Sequence, residues 1–476
     1  MKRIGLMTWH HSENYGTAFQ AYALKTLIEN QGCHVDLIDY KRLGMSPLDI
    51  PHYGHLLCEK FLYVLNKIKK RNKLFFKFKE ETFGRFYKDR FTYTKGCLFN
   101  QDFHELNNQY DGFVCGSDQI WGPNWYDGRY FLDFVTDTRK LISYAPSLGV
   151  SSIPNPHVKD MMRADISRFD HLSIREKSGC ETVKKMVGRI DVYNVLDPVL
   201  MLDINHWKHL EEPLETKSKE YALVFFLANN TSNIELSIRD AHRRGKEPIV
   251  MHCTQTEDTP YANIQELTPG QLLYCIHNAS YIYTDSFHVS VLSIIFHRQF
   301  ITFKKNAGGK KTTQYERITD LLECLQINGG KYENDASFNL IIDYKKVDTI
   351  LEEKREESLD YLRKALNSIS VETNKVDNNE ICNKVSECEG EVTEVFKQYL
   401  STIKYKKKGK FIRYCQFALT PKCYRCKYLK SNIITDGRKP LFYEDLQNRL
   451  KLKKSVYLKY YLPFYPLYIL RKIRHS

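Results

Sequence analysis

What this chain lacks narrows it first. No run approaches the ~20 apolar residues that a membrane-spanning helix needs. Residues Met1 to His10 hold an apolar run too short for a secretory signal and carry no small-residue cleavage site. Thirteen cysteines, an odd number scattered along 476 residues, do not make a disulfide framework, so a reducing cytoplasm is the expected compartment. A GxGxxG fingerprint is missing, which weakens a dinucleotide-binding reading. No short-period repeat is present, which argues against a solenoid.

The largest imbalance of charge lies at one end of the chain. Residues 401–476 carry 20 Lys plus Arg against 3 Asp plus Glu, so residues 1–400 carry 51 against 54. The net charge of +14 therefore belongs to the tail, and the rest of the chain is nearly neutral. One end seeks a polyanion while the globular part does not.

What is present is an alternation of strand and helix patterns. At 476 residues, two domains with an appendage are expected. Residues 3–9 read as a strand, 17–28 as a helix capped by Gly32, and 35–40 as the returning strand. Residues 50–110 read as a basic, aromatic helical insertion. Further strands are expected at 111–116 and 141–146, with Ser173 to Ser178 passing from a strand into a helix. A second alternating region runs from the strand at 221–227 to about residue 345, and a helix at 345–368 packs back on the core. Residues 371–400 are polar and acidic and read as a linker. These patterns predict an α/β protein of two Rossmann-like domains facing across a cleft, residues 1–205 and 206–370. A basic aromatic extension covers 401–476.

In open α/β sheets, ligands bind beyond the carboxyl ends of the strands, and the unusual polar clusters fall there. Tyr281 to Thr284 reads as a strand. Asp285 and Ser286 are good N-cap residues, and Val289, Leu292, Ile295 and Phe296 continue as a buried helix. His288 then sits in the first helical turn, where backbone N–H groups and the helix dipole favour an anion. Alone, such a histidine is often a hydrogen-bonded structural group. Asn14-Tyr15-Gly16 is a glycine-bearing turn opening a helix, suited to a phosphate or sugar oxygen. Ser117, Asp118 and Gln119 follow the strand at 111–116, where a simple turn is the plainer reading. Arg175 and Arg317 are candidate anion ligands, because a guanidinium fork matches carboxylate and phosphate. Taken singly, each arginine is more often structural than catalytic.

Together these motifs resemble the polysaccharide pyruvyl transferases. The resemblance runs through Asn14-Tyr15-Gly16 with Gln20-Ala21-Tyr22, Gly116-Ser117-Asp118-Gln119-Ile120-Trp121, and Tyr144 to Gly149. It continues through Ser173 to Ser178, Thr284 to His288, and Glu316-Arg317-Ile318, spanning roughly residues 1–330 in the family's order. It implies a GT-B-like fold with the active site between the two domains. It also implies transfer of pyruvyl from phosphoenolpyruvate to two hydroxyls of one sugar in a surface polysaccharide precursor, forming a ketal. No further cofactor and no metal are expected. By the resemblance His288 matches the catalytic histidine and Arg175 an arginine associated with the donor. Asp118 or Asp285 is a candidate base, while Asn14, Tyr15, Gly16, Ser117, Gln119, Asp285, Ser286 and Arg317 are candidate donor or substrate ligands. Many members have Arg where this chain has Ser286, and Gly where it has Val289. Either another arginine replaces the lost charge or the donor differs. A GT-B glycosyltransferase and an inactive sugar-binding scaffold are the alternatives.

The tail surrounds the segment Tyr457 to Leu470 with lysines and arginines. Such a pattern suits an anionic membrane surface, so peripheral contact at the inner face of the membrane is expected, and no nucleic acid. The acceptor would be a glycan or a lipid-linked sugar. Cys415, Cys423 and Cys426 fall short of a four-ligand zinc site unless Cys388 or His475 completes it.

Overall fold

Short, doubly buried apolar runs become parallel strands, and the polar residues between them become caps and turns. The computed structural model describes residues 1–10, 14–40, 73–97, 100–150, 152–215, 220–228, 230–252, 267–305 and 314–369. The expected linker, the basic tail, the first part of the insertion and the Cys415–Cys426 cluster lie outside the described residues. Residues 1–41 and 72–370 form one compact unit.

In chain order the first part contains β1 (Arg3–Met7), α1 (Tyr15–Glu29), β2 (His34–Leu37), α2 (Lys73–Arg90), α3 (Asn100–Leu106), β3 (Gly112–Cys115) and β4 (Leu141–Ser143). It continues with α4 (Pro156–Ile166), β5 (Leu172–Ile174), α5 (Lys177–Val187), β6 (Val192–Asn194), α6 (Pro198–Met201) and α7 (Ile204–Lys208). A parallel sheet has the order β2-β1-β3-β4, with Leu6 opposite both Leu37 and Val114. The parallel pair β5-β6 continues it. The join is made by a bridge between Ile142 and His171 and by two serines. Ser143 Oγ accepts from the Ser173 amide at 2.8 Å, and Ser173 Oγ donates to the Ser143 carbonyl at 2.7 Å.

The second part contains β7 (Tyr221–Phe226), α8 (Thr231–Arg243), β8 (Glu247–His252), α9 (Pro269–Asn278), β9 (Tyr281–Thr284) and α10 (Phe287–Ile295). It ends with β10 (Phe300–Thr302), α11 (Gln314–Cys324) and α12 (Tyr344–Ser368). Its parallel sheet has the order β10-β9-β7-β8, with Val224 opposite both Val250 and Tyr283. The two parallel sheets with their helices are the α/β architecture expected from the alternating pattern.

Several boundaries differ from the sequence reading for local reasons. Helix α1 starts at Tyr15 because the Asn14 side chain caps the Thr17 amide at 3.3 Å. Its C-cap is Asn30, and Gly32 serves the following turn at φ 76°. Strand β4 stops at Ser143 because Ala145 turns to φ 52° and Pro146 has no N–H to give a ladder.

Helix α1 is buried on most of its surface and packs against α6 and α10, so it joins the two halves. Helix α2 lays Phe83, Phe86 and Tyr87 into the same core, with Phe83 4.9 Å from the Tyr15 ring. Helix α12 returns to the first sheet, as its apolar periodicity suggests. Leu362 and Ala365 are fully buried, and the Tyr361 hydroxyl donates to the Ser143 carbonyl at 2.8 Å.

Tyr361→Phe is expected to lower stability by about 1 kcal/mol, the net value of one hydrogen bond, because the Ser143 carbonyl then keeps only the Ser173 hydroxyl of its two hydroxyl donors. Leu362→Ala should cost about 2–5 kcal/mol. Urea unfolding checks both, and a Leu362→Ala effect below that of Tyr361→Phe would show that α12 is not seated on the core.

Candidate active site

Strand ends from both sheets deliver polar side chains to one buried place. From the first sheet, Asp118 follows β3, Arg175 and Glu176 follow β5, and Asp197 stands between β6 and α6. From the second, Phe287 and His288 open α10, while Arg317 lies on α11. Each location follows from local sequence. Asp197 caps α6 by accepting the Val199 amide at 2.9 Å, with Pro198 pre-set for the first helical position. Ser286 caps α10, which puts His288 in the first turn as its sequence implies.

Arg175 is the hub. Its Nη1 donates to Asp197 Oδ2 at 2.7 Å, its Nε is 3.4 Å from Glu176 Oε1, and its Nη2 is 3.8 Å from Asp118 Oδ1. Its guanidinium also lies 4.7 Å from the Phe287 ring centroid. Burial alone would depress the Arg175 pKa, but Glu176, Asp197 and Asp118 outweigh it and hold the group above the ordinary arginine range. Asp197 is a matching case. Burial would raise its carboxyl, yet His288 and Arg175 hold it well below the usual carboxylate range.

Arg317 has different surroundings. Its guanidinium lies 5.3 Å from the same Phe287 ring, and no ion-pair partner within 4 Å stands beside it among the described residues. Burial first, and then repulsion by Arg175, lower its pKa to about 10. Its buried Nε has no hydrogen-bond partner among the described residues.

His288 Nε2 stands 3.6 Å from Asp197 Oδ2, an ion-pair separation rather than a hydrogen bond. The opposite edge of the ring lies against the start of α1. A Cβ added at Gly16 would come within 2.1 Å of Nδ1 and 2.7 Å of Cγ. Gly16 is therefore needed for close approach, and this accounts for the glycine in the Asn14-Tyr15-Gly16 turn.

The other sequence-predicted residues divide by task. Asp118 joins the cluster and accepts a hydrogen bond from Thr17 Oγ1 at 3.3 Å. Gln119 places a buried Nε2, without a hydrogen-bond partner among the described residues, beside Gly149. Ser117 uses its hydroxyl on the Ala145 carbonyl and its amide on Gln20, so its polar groups are spent within the fold. Asp285 accepts the Leu227 and Ala228 amides at 2.6 and 2.9 Å and ties the ends of β9 and β7 together. Asn14 is exposed and caps α1, while the Tyr15 hydroxyl donates to the Leu267 carbonyl in the second half.

Two members of the cluster were not among the sequence candidates. Asp197 precedes a proline and reads as a cap, and Glu176 reads as an exposed neighbour of Arg175. In the fold, Glu176 is buried, accepts from the Ser147 hydroxyl and leaves its Oε2 unpartnered among the described residues. Buried polar groups normally find partners, so unpartnered atoms of Arg175, Glu176, His288 and Arg317 in one place mark a site made for a polar ligand. No set of three or more His, Cys, Asp or Glu among the described residues is arranged to hold a metal ion.

A family model described as polysaccharide pyruvyl transferase matches residues 14–304. The chain belongs to that family. The matched span includes Gly16, Asp118, Arg175, Asp197 and His288, and stops short of Arg317. No curated protein matches the chain significantly. Among solved structures, the chain is similar to a UDP-GlcNAc 2-epimerase from Neisseria meningitidis at 10% identity and TM-score 0.39, over 76% of this chain and 100% of that one. It is also similar to a UDP-GlcNAc 2-epimerase from Methanocaldococcus jannaschii at 13% identity and TM-score 0.34, over 77% and 99%. No helix among the described residues is long and apolar enough to cross a membrane.

The Gly16 contact has a measurable consequence. In an open helix, Gly→Ala stabilises by about 0.5–1 kcal/mol. Here Gly16→Ala is expected to lower the thermal midpoint, with a smaller drop when His288→Ala is also present. A raised midpoint for Gly16→Ala alone would show that the ring moves aside without cost.

Proposed function

We propose that this polysaccharide pyruvyl transferase family member takes phosphoenolpyruvate as donor and closes a pyruvyl ketal across two hydroxyls of one sugar. The observation that carries this reading is the convergence of His288 with two guanidinium groups that both lie against the Phe287 ring. A donor with a carboxylate and a phosphate needs cations and a proton source in one place. Arg317, which lacks an ion-pair partner among the described residues, gains most from an incoming anion. The first turn of α10, capped by Ser286, adds the positive end of a helix dipole.

The chemistry is then a sequence of balanced steps. Protonated His288 gives its proton to the methylene carbon of the donor, which becomes a methyl group. Oxocarbenium character develops at the carbon bearing the phosphate oxygen. A sugar hydroxyl attacks that carbon and loses its proton to a base. Asp118 is the base we assign, because its carboxylate lies in the cluster, whereas both oxygens of Asp285 accept backbone N–H groups. The carbon–oxygen bond to phosphate breaks, and the second hydroxyl closes the ketal, its proton leaving with phosphate as hydrogen phosphate.

The acceptor of such a reaction belongs to a surface polysaccharide precursor, held in solution or on a lipid carrier. A lipid-linked acceptor agrees with the basic aromatic tail, since each Lys or Arg near an anionic surface contributes about 1 kcal/mol. The globular part is then cytoplasmic with the tail at the inner face of the membrane.

His288→Gln is expected to retain the fold and to lower phosphate release from phosphoenolpyruvate by about 10²–10⁴-fold, the usual contribution of positioned acid catalysis. Turnover equal to wild type would remove His288 from the mechanism. Release of a nucleotide from a sugar nucleotide, with no phosphate from phosphoenolpyruvate, would establish a glycosyltransferase instead. Removing residues 401–476 should abolish co-sedimentation with liposomes rich in anionic lipid. Undiminished binding would exclude the tail as the membrane contact.

A further inference from the structure

We propose that Asp197 is the positioning residue of the site: it fixes His288 and remains an anion beside it, so that the proton stays on Nε2 until the substrate takes it. The catalytic meaning of this assignment rests on the pyruvyl-transfer reading, while the pairing itself rests on geometry.

The two edges of the imidazole are not equivalent. The Nδ1 edge is closed by the backbone of Gly16, where even a methyl group would collide. The Nε2 edge faces the polar cluster, is buried, and makes no hydrogen bond among the described residues. Proton transfer to a ligand therefore uses Nε2. The carboxylate nearest to it is Asp197 Oδ2 at 3.6 Å. At that separation Asp197 stabilises an imidazolium by charge without tying up its N–H.

Asp197 is itself held firmly. Oδ1 accepts the Val199 amide at 2.9 Å, and Oδ2 accepts Arg175 Nη1 at 2.7 Å. Its side chain is 1% exposed, so it cannot swing to solvent, and Arg175 keeps it from competing for the proton. A triad aspartate hydrogen-bonds the ring nitrogen opposite the reacting one, whereas Asp197 faces the reacting nitrogen itself and acts on it by charge. The other charged groups in this cluster are Arg175 and Glu176 after β5, Asp118 after β3, and Arg317 on α11; α1 contributes the uncharged Gly16 and Thr17. Two guanidinium groups thus stand against three carboxylates in this cluster.

The test combines kinetics with a measurement that does not need the reaction. Asp197→Asn keeps the shape and removes the charge. It should lower kcat for phosphate release from phosphoenolpyruvate by about 10²-fold, at the lower end of the range for positioned acid catalysis, with a smaller effect on KM. The limb of the pH–rate profile on which activity falls as pH rises should move to lower pH. Asp197→Glu, which restores a carboxylate, should retain more kcat than Asp197→Asn. Independently, a double-mutant cycle of Asp197→Asn and His288→Gln is read by unfolding at about pH 5 and about pH 8, the span over which an ordinary imidazole loses its charge. The two substitutions should be non-additive at the lower pH and closer to additive at the higher one. An unshifted profile together with additivity at both pH values would overturn the assignment. If wild type releases no phosphate with any sugar acceptor, the pyruvyl-transfer reading fails, and the unfolding cycle still decides the Asp197–His288 pairing.

Discussion

One carboxylate oxygen, Asp197 Oδ2, faces an arginine after the first sheet and a histidine from the second. The other features of the site depend on that shared atom. A buried ion pair is costly to desolvate and contributes little net stability unless its geometry and remaining hydrogen bonds are good. Here Oδ1 is satisfied by a helix cap, Oδ2 is satisfied by Arg175, and Arg175 reaches two further carboxylates. The cost of desolvating charge is met by mutual compensation within the cluster, and the result is an imidazole held at a defined place between the halves.

The scaffold delivers these groups by repeating one local device. A parallel strand ends, a capping residue turns the chain, and a helix begins, with the chemically useful residue at or beside the turn. Arg175 and Glu176 follow β5 in this way, His288 follows β9, and Gly16 opens α1. Helix α1 then completes the arrangement from the other side. Its buried surface packs on α6 and α10, and the missing side chain at Gly16 admits the His288 ring. Helix packing and the placement of His288 are therefore coupled at one residue, since enlarging the helix start displaces the imidazole.

Much of this was readable from residue order. The run from Tyr281 to Phe296 states its own structure, because aromatic and β-branched residues pass through a serine cap into an apolar helix. Alternation of such units indicates parallel sheets, and in parallel sheets polar residues after strands converge. What could not be read was which of those residues meet. Asp197 looks like the cap of a short helix, and it is one; its second oxygen finds Arg175 and His288 only after β6 and α10 are brought together. Asp285 looks as good a ligand as Ser286, yet its two oxygens accept the amides that end β7, 57 and 58 residues earlier in the chain. The serine join of β4 to β5 is similarly silent, since Ser143 and Ser173 carry no pattern that distinguishes them from exposed serines.

The two guanidinium groups on Phe287 bear on the position where this chain departs from other family members. Ser286 brings no charge to the start of α10 and acts as its cap, accepting from the Val289 amide. Arg175 is already balanced by three carboxylates, so it serves better to organise the acids than to receive a donor anion. Arg317 is the group with the opposite balance. It is pressed toward its neutral form by burial and by Arg175, and it sits on the ring of the residue that follows Ser286. An anion brought to Phe287 would offset that repulsion and stabilise the charged form of Arg317. In this chain, then, a neutral cap occupies position 286 while Arg317 on α11 keeps a positive charge beside Phe287.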